Sequence, residues 1–106
     1  MKSKSASLIR LKKFQVDEKR RQVLQIETMV ADFERMAAEL DQQIDIEHKK
    51  TGISDVAHFA YSTSAKAAIP RRDNLLTSAG DMKGKLEAAQ DELAEAIEDL
   101  KKVELL

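Results

Sequence analysis

The chain has no cysteine and no tryptophan, and only one proline and three glycines among 106 residues. Without cysteine there is neither a disulfide nor a thiolate metal site, which fits a reducing compartment. Aromatic residues make up only 4% of the chain, so no large aromatic core is available. No apolar run approaches the roughly 20 residues that a membrane-spanning helix requires. The N-terminus is basic at Lys2 and Lys4, but Arg10, Lys12 and Lys13 interrupt what would have to be a signal-peptide core. Eighteen basic and nineteen acidic residues leave a net charge of −1. No overall field therefore points to nucleic acid, and charge matters only through its distribution. The expectation is a soluble cytoplasmic protein of at most one domain.

What the chain does have is charge, at 35% of residues, arranged around a narrow apolar stripe. From Val23 to Glu47 apolar residues recur at Val23, Ile26, Val30, Phe33, Ala37, Leu40 and Ile44, in alternating steps of three and four. That is a heptad seam, narrower than the face of a globular-domain helix. Continued backwards it passes through Lys19, Val16, Lys12 and Ile9. The positions lettered a are then Ile9, Val16, Val23, Val30, Ala37 and Ile44, and the d positions are Lys12, Lys19, Ile26, Phe33, Leu40 and Glu47. A first helix is expected from about Ser7 to about Lys50, on the order of 65 Å long. Ser5 or Ser7 is the candidate N-cap, and Gly52, after Lys49 and Lys50, is the candidate C′ residue.

Residues 51–64 (TGISDVAHFAYSTS) break the heptad and form the expected tip. Ser54 is placed to cap a short helix over Asp55–Ala60, and Ser62 or Thr63 to cap the next long one. Val56, Phe59 and Tyr61 read as a small cluster closing the loop or, in the alternative, as a second partner surface at the tip, and His48 and His58 as solvated histidines. The seam resumes through Ala65, Ala68, Arg72, Leu75, Ala79, Met82, Leu86, Ala89, Leu93, Ala96, Leu100 and Val103. A second helix is thus expected from about Ala65 to about Leu105. Outside the first turn Pro70 would cost it about 3 kcal/mol, and Gly80 and Gly84 about 1 kcal/mol each.

Two features make the pairing antiparallel. If partner residue numbers sum to 112, Ile44 faces Ala68, Ala37 faces Leu75, Phe33 faces Ala79 and Val23 faces Ala89. Large meets small, as close packing requires; Leu40 against Arg72 is the awkward layer. Charge agrees with this register. Residues 1–21 are net +6 and 86–106 net −5, while 22–47 are net −6 and 66–85 net +3, so folding back at the tip sets each block against its opposite. The expected fold is all-α: one long two-helix antiparallel coiled-coil hairpin over residues 1–106. A parallel homodimer would stack +6 on +6. A four-helix assembly of two hairpins, and so a homodimer, stays open.

No phosphate-binding loop, HExxH or Ser/His/Asp spacing is present. Asp17 with Glu18, and the cluster of Asp91, Glu92 and Glu95, read as solvated helix faces. The expectation is no enzyme, no cofactor and no metal. The base of the hairpin stands out. Lysines occupy the d positions Lys12 and Lys19 beside the apolar Leu8, Leu11, Phe14, Leu105 and Leu106. A lysine there loosens a seam while its stem covers apolar neighbours. The candidate partner-binding residues are Leu8, Arg10, Leu11, Lys12, Lys13, Phe14, Arg20 and Arg21.

The run SLIRLKKFQVDEKRRQVLQIETMVADFERMAAEL, the TGISDVAHFAYS tip and the C-terminal KLEAAQDELAEAIEDLKKVELL resemble the flagellar export protein FliJ family, in its alphaproteobacterial form. Pro70 departs from that family's uninterrupted hairpin. The resemblance implies a soluble component of the flagellar type III protein export apparatus whose coiled coil is similar to the rotary ATPase γ subunit. Implied partners are the hexameric export ATPase, the export-gate membrane protein and export chaperones, with no nucleic acid and no direct membrane insertion. The implied location is cytoplasmic, peripheral to the export apparatus at the inner membrane. The alternative is a generic cytoplasmic coiled-coil chaperone or adaptor, or a structural spacer.

Overall fold

The computed structural model describes residues 2–106, with side chains from Ser5 onward. Its secondary structure is two helices, α1 over Lys2–Thr51 and α2 over Thr63–Glu104. The fold is all-α, a two-helix coiled-coil hairpin. The helix ends differ from expectation at one place above all: α1 begins at Lys2, five residues before Ser7. Residues 2–6 hold no Gly or Pro to stop a helix, and extending an existing helix is far easier than nucleating one.

Two units make up the hairpin, Met1–Thr28 with Met82–Leu106, and Met29–Asp81. In the first, Val16, Val23, Ala89 and Val103 are buried, and Lys12, Lys19, Ile26, Leu86, Leu93, Ala96 and Leu100 are half-buried. In the second, Val30, Ala37, Ile44, Ala65, Ala68 and Ala79 are buried, and Phe33, Leu40, Arg72 and Leu75 are half-buried. These are the a and d positions read from the sequence. The most enclosed are alanines, with Ala65 only 1% exposed and Ala37 and Ala79 each 2%. Small side chains let the backbones approach, and larger neighbours stay half-covered in a seam this thin.

Among the described residues, a cross-helix ion pair marks the register in each unit. Lys19 Nζ lies 3.1 Å from Glu92 Oε2 in the first. In the second, Arg72 Nη1 lies 2.8 Å from Asp41 Oδ1 and its Nη2 lies 3.0 Å from Asp73 Oδ1. The cross-helix partners' numbers sum to 111 and 113, on either side of the expected 112. The awkward Leu40–Arg72 layer is thereby resolved. Arg72 keeps its stem in the seam and turns its guanidinium outward, where hydrogen bonds to Asp41 first and Asp73 second hold its pKa above the ordinary value.

Pro70 does not start α2; it sits inside the helix, at an exposed position. It removes the N–H that would have bonded the Lys66 carbonyl. Lys66 is also exposed, so that carbonyl lies where water reaches. Gly80 and Gly84 are helical, and a Cβ added at either meets nothing within 4 Å.

Three substitutions test this packing. Replacing Gly80 by Ala is expected to stabilise the chain by about 1 kcal/mol. Ala79→Leu, one residue away but on the seam, is expected to destabilise it by about 1–3 kcal/mol. The same change at exposed Ala38 is expected to leave the urea midpoint nearly unmoved. For register, zero-length carbodiimide coupling should yield a Lys19–Glu92 cross-linked peptide by mass spectrometry. Coupling of Lys19 to Glu87 or Glu98 in place of Glu92 would mean a different register.

Candidate functional site

The terminal unit carries all eight sequence-predicted partner-binding residues on α1. Leu11 is 50% exposed and Phe14 62%, and Leu8 is also exposed. Arg10, Lys13, Arg20 and Arg21 are exposed, while Lys12 is half-buried on the seam. Helical spacing divides the set rather than gathering it into one patch. Leu8 borders the seam, and Leu11 and then Phe14 step away from it around the helix. Arg10, Phe14 and Arg21 share the outward face. Lys13 and Arg20 lie on the opposite flank from Leu8. Arg10 Nη2 donates to Ser7 Oγ at 3.3 Å, and Arg21 pairs with Glu18 on its own helix.

α2 brings acid to the flank on which Leu8 and Gln15 lie. A groove there is lined by Gln15, Lys19, Glu92, Glu95, Ala96 and Asp99. Lys19 lies among three carboxylates and bonds one of them. The terminal unit thus offers partners a basic flank and an acidic flank, with exposed apolar side chains between them. Leu105 and Leu106, at the other end of the chain, are 87% and 85% exposed.

The loop of the second unit is more ordered by hydrogen bonds than the sequence suggested. Gly52 closes α1 with a φ of 71°, its N–H donating to the His48 carbonyl at 2.8 Å. Only glycine takes that left-handed conformation readily. The expected short helix over Asp55–Ala60 is absent, and turns occupy the segment. Ser54 has no helix to cap, and Asp55 forms a turn in its place: its Oδ1 accepts the Ala57 N–H at 2.9 Å. An Asx turn of this kind offers the backbone an alternative to helix.

Two more expectations need correction. His48 is not a solvated histidine; it is half-buried, and its Nε2 lies 2.6 Å from the Tyr61 hydroxyl. Val56, Phe59 and Tyr61 do not form a cluster. Tyr61 is buried with Ile44, Ala65 and Ala68, with Leu40, Ile53 and Ile69 packed around them. Val56 and Phe59 point away, at 49% and 97% exposure. Tyr61 falls on the α2 seam phase, seven residues before Ala68, and that spacing was the signal for its burial. Phe59 falls off the phase. Ser62 ties the two helices together: its Oγ donates to Glu47 Oε2 at 3.0 Å and accepts the Ala65 N–H at 3.2 Å.

Compared with protein-family models, curated proteins and solved structures, the chain matches none of them. Among the described residues no group of three His, Asp or Glu side chains is placed to hold a metal ion. Among the same residues no helix is long and apolar enough to cross a membrane.

The loop closure is testable by deletion of single groups. Ser62→Ala removes an N-cap and is expected to cost about 1 kcal/mol. Tyr61→Phe keeps the ring and removes the hydroxyl, for about 0.5–1.5 kcal/mol. Both would be read as urea midpoints with helix content held constant by circular dichroism. A Ser62→Ala chain as stable as wild type would mean that the cap and the Glu47 tie contribute nothing.

Proposed function

We propose that this chain is a non-enzymatic coiled-coil adaptor that engages a protein partner through the terminal segment of α1. One observation carries the reading: large apolar side chains at Leu11 and Phe14 are left half to two-thirds exposed, on a segment whose seam is interrupted by Lys12 and Lys19. A helix end of this kind has apolar surface to bury and basic residues to steer the encounter. Arg20 and Lys13 supply the charge on one flank, and Arg10 and Arg21 border Phe14 on the outer face.

The more specific form of the proposal comes from the resemblance to the FliJ family. In that form the partner is the hexameric flagellar export ATPase, with the export gate and export chaperones reached through other surfaces. The location is cytoplasmic, at the export apparatus on the inner membrane. Support for this form lies in the residues quoted for the resemblance and in the hairpin fold. The general form, an adaptor or chaperone hairpin, needs only the fold and the exposed terminal segment.

Charge reversal at Arg20 and Arg21 separates the two. If the export ATPase is the partner, wild-type chain co-purifies with it and raises its ATPase rate. Arg20→Glu with Arg21→Glu then weakens that association by about tenfold. ATPase binding and stimulation untouched by the double variant would remove these residues from the site. Binding of unfolded clients, with no ATPase association, would leave the general form alone standing.

A further inference from the structure

Phe59 is 97% exposed, yet the loop that carries it is held by hydrogen bonds on both sides of the ring. The His58 N–H donates to the Asp55 carbonyl and the Tyr61 N–H to the His58 carbonyl, both at 3.0 Å. The His58 Nδ1 accepts the Ala60 N–H at 3.0 Å, and the His58 ring stacks on Phe59 with centroids 4.8 Å apart. Buried Tyr61 fastens the loop to the helices two residues later. The ring is therefore presented outward by an ordered backbone, so little conformational entropy remains to be lost when it is covered.

The surroundings are basic. From Asp45 through Arg72 the chain carries five basic and three acidic residues, against the net −6 of residues 22–47. Two of the five basic side chains are themselves paired, Lys49 with Asp45 and Arg72 with Asp41 and Asp73, so Lys50, Lys66 and Arg71 remain against Glu47 and Asp55. Asp45 pairs with Lys49 at 2.9 Å, Glu47 accepts from Ser62, and Asp55 accepts from Ala57. Lys50 and Lys66, on the helix turns that enter and leave the loop, are exposed.

We propose that this loop is a reversible anchor for a negatively charged lipid surface, with Phe59 as the inserting side chain and Lys50 and Lys66 as its electrostatic partners. A single exposed ring, on a loop that also leaves Val56 49% exposed, suits a soft interface better than a shaped pocket. Charge complementarity to anionic headgroups selects that interface over a neutral one. Neither signal anchors the chain alone, so binding needs both. The contact is peripheral, and it modifies the expectation of no membrane insertion by one side chain.

The chain has no tryptophan, so Phe59→Trp makes the full chain its own reporter. On vesicles of phosphatidylcholine and phosphatidylglycerol in equal parts, its emission should shift to the blue and the protein should sediment with the lipid. On phosphatidylcholine alone, or in high salt, neither should happen. Lys50→Glu with Lys66→Glu should lower partition by roughly fivefold per charge lost, and Phe59→Ala should lower it further. Circular dichroism verifies the fold of each variant. Emission that stays solvent-exposed on anionic vesicles would overturn the proposal and leave an apolar pocket on a protein as the cover for the ring. A shift from Phe14→Trp instead, or wild-type binding by Phe59→Ala, would overturn it by moving lipid contact away from the loop.

Discussion

Everything in this molecule depends on one stripe per helix. A helix with a single partner has one line of contact in which to bury apolar surface, and residues off that line remain wet. The buried set on α1 accordingly recurs every seven residues, at Val16, Val23, Val30, Ala37 and Ile44, with the d positions between them half-buried. Its tightest members are alanines, because close approach of two backbones, rather than bulk, is what seals a two-helix seam. Such a seam tolerates an Arg or a Lys if the stem lies along it and the charge leaves at the edge, as Arg72 and Lys19 do.

The same constraint explains how surface charge is used. Exposed ion pairs contribute only about 0–1 kcal/mol each, so Lys19–Glu92 and Arg72–Asp41 do little to hold the helices together. They discriminate between registers. A slip of one heptad would carry Arg72 from Leu40 towards Phe33 and away from Asp41, exchanging a solvated guanidinium pair for a bulky apolar neighbour. The blocks of opposite net charge along the chain act in the same sense, against parallel pairing.

The seam was legible because periodicity is a long-range signal, repeated from Ile9 to Ile44 and again from Ala65 to Val103. The helix starts and the loop were less so. Ser5 and Ser7 looked like N-caps for α1 but stand within the helix, which begins at Lys2. In the loop, Ser54 was the expected cap of a short helix, but the Asp55 carboxylate takes the Ala57 N–H in a turn and no helix forms. His48 and Tyr61 are thirteen residues apart, and their bond depends on how Gly52 turns the chain. The candidate terminal site was legible as a list of residues. Its division into an apolar edge, an outward face and a basic flank follows from helical phase, and its acidic counterpart comes from α2.

Ser62 has a consequence for the order in which the hairpin assembles. Its bond to Glu47 closes fifteen residues of chain, whereas Lys19 and Glu92 enclose seventy-three. Closing the larger loop from an open chain costs about 1.4 kcal/mol more in entropy. Once the short loop is tied, each further layer is brought within reach by the one before it, and none bears the full cost of a long-range encounter. The least populated residue pairings in the unfolded chain are thus those at the terminal segment. They are also the last to benefit from neighbours already in place, and the first to open when the helices separate.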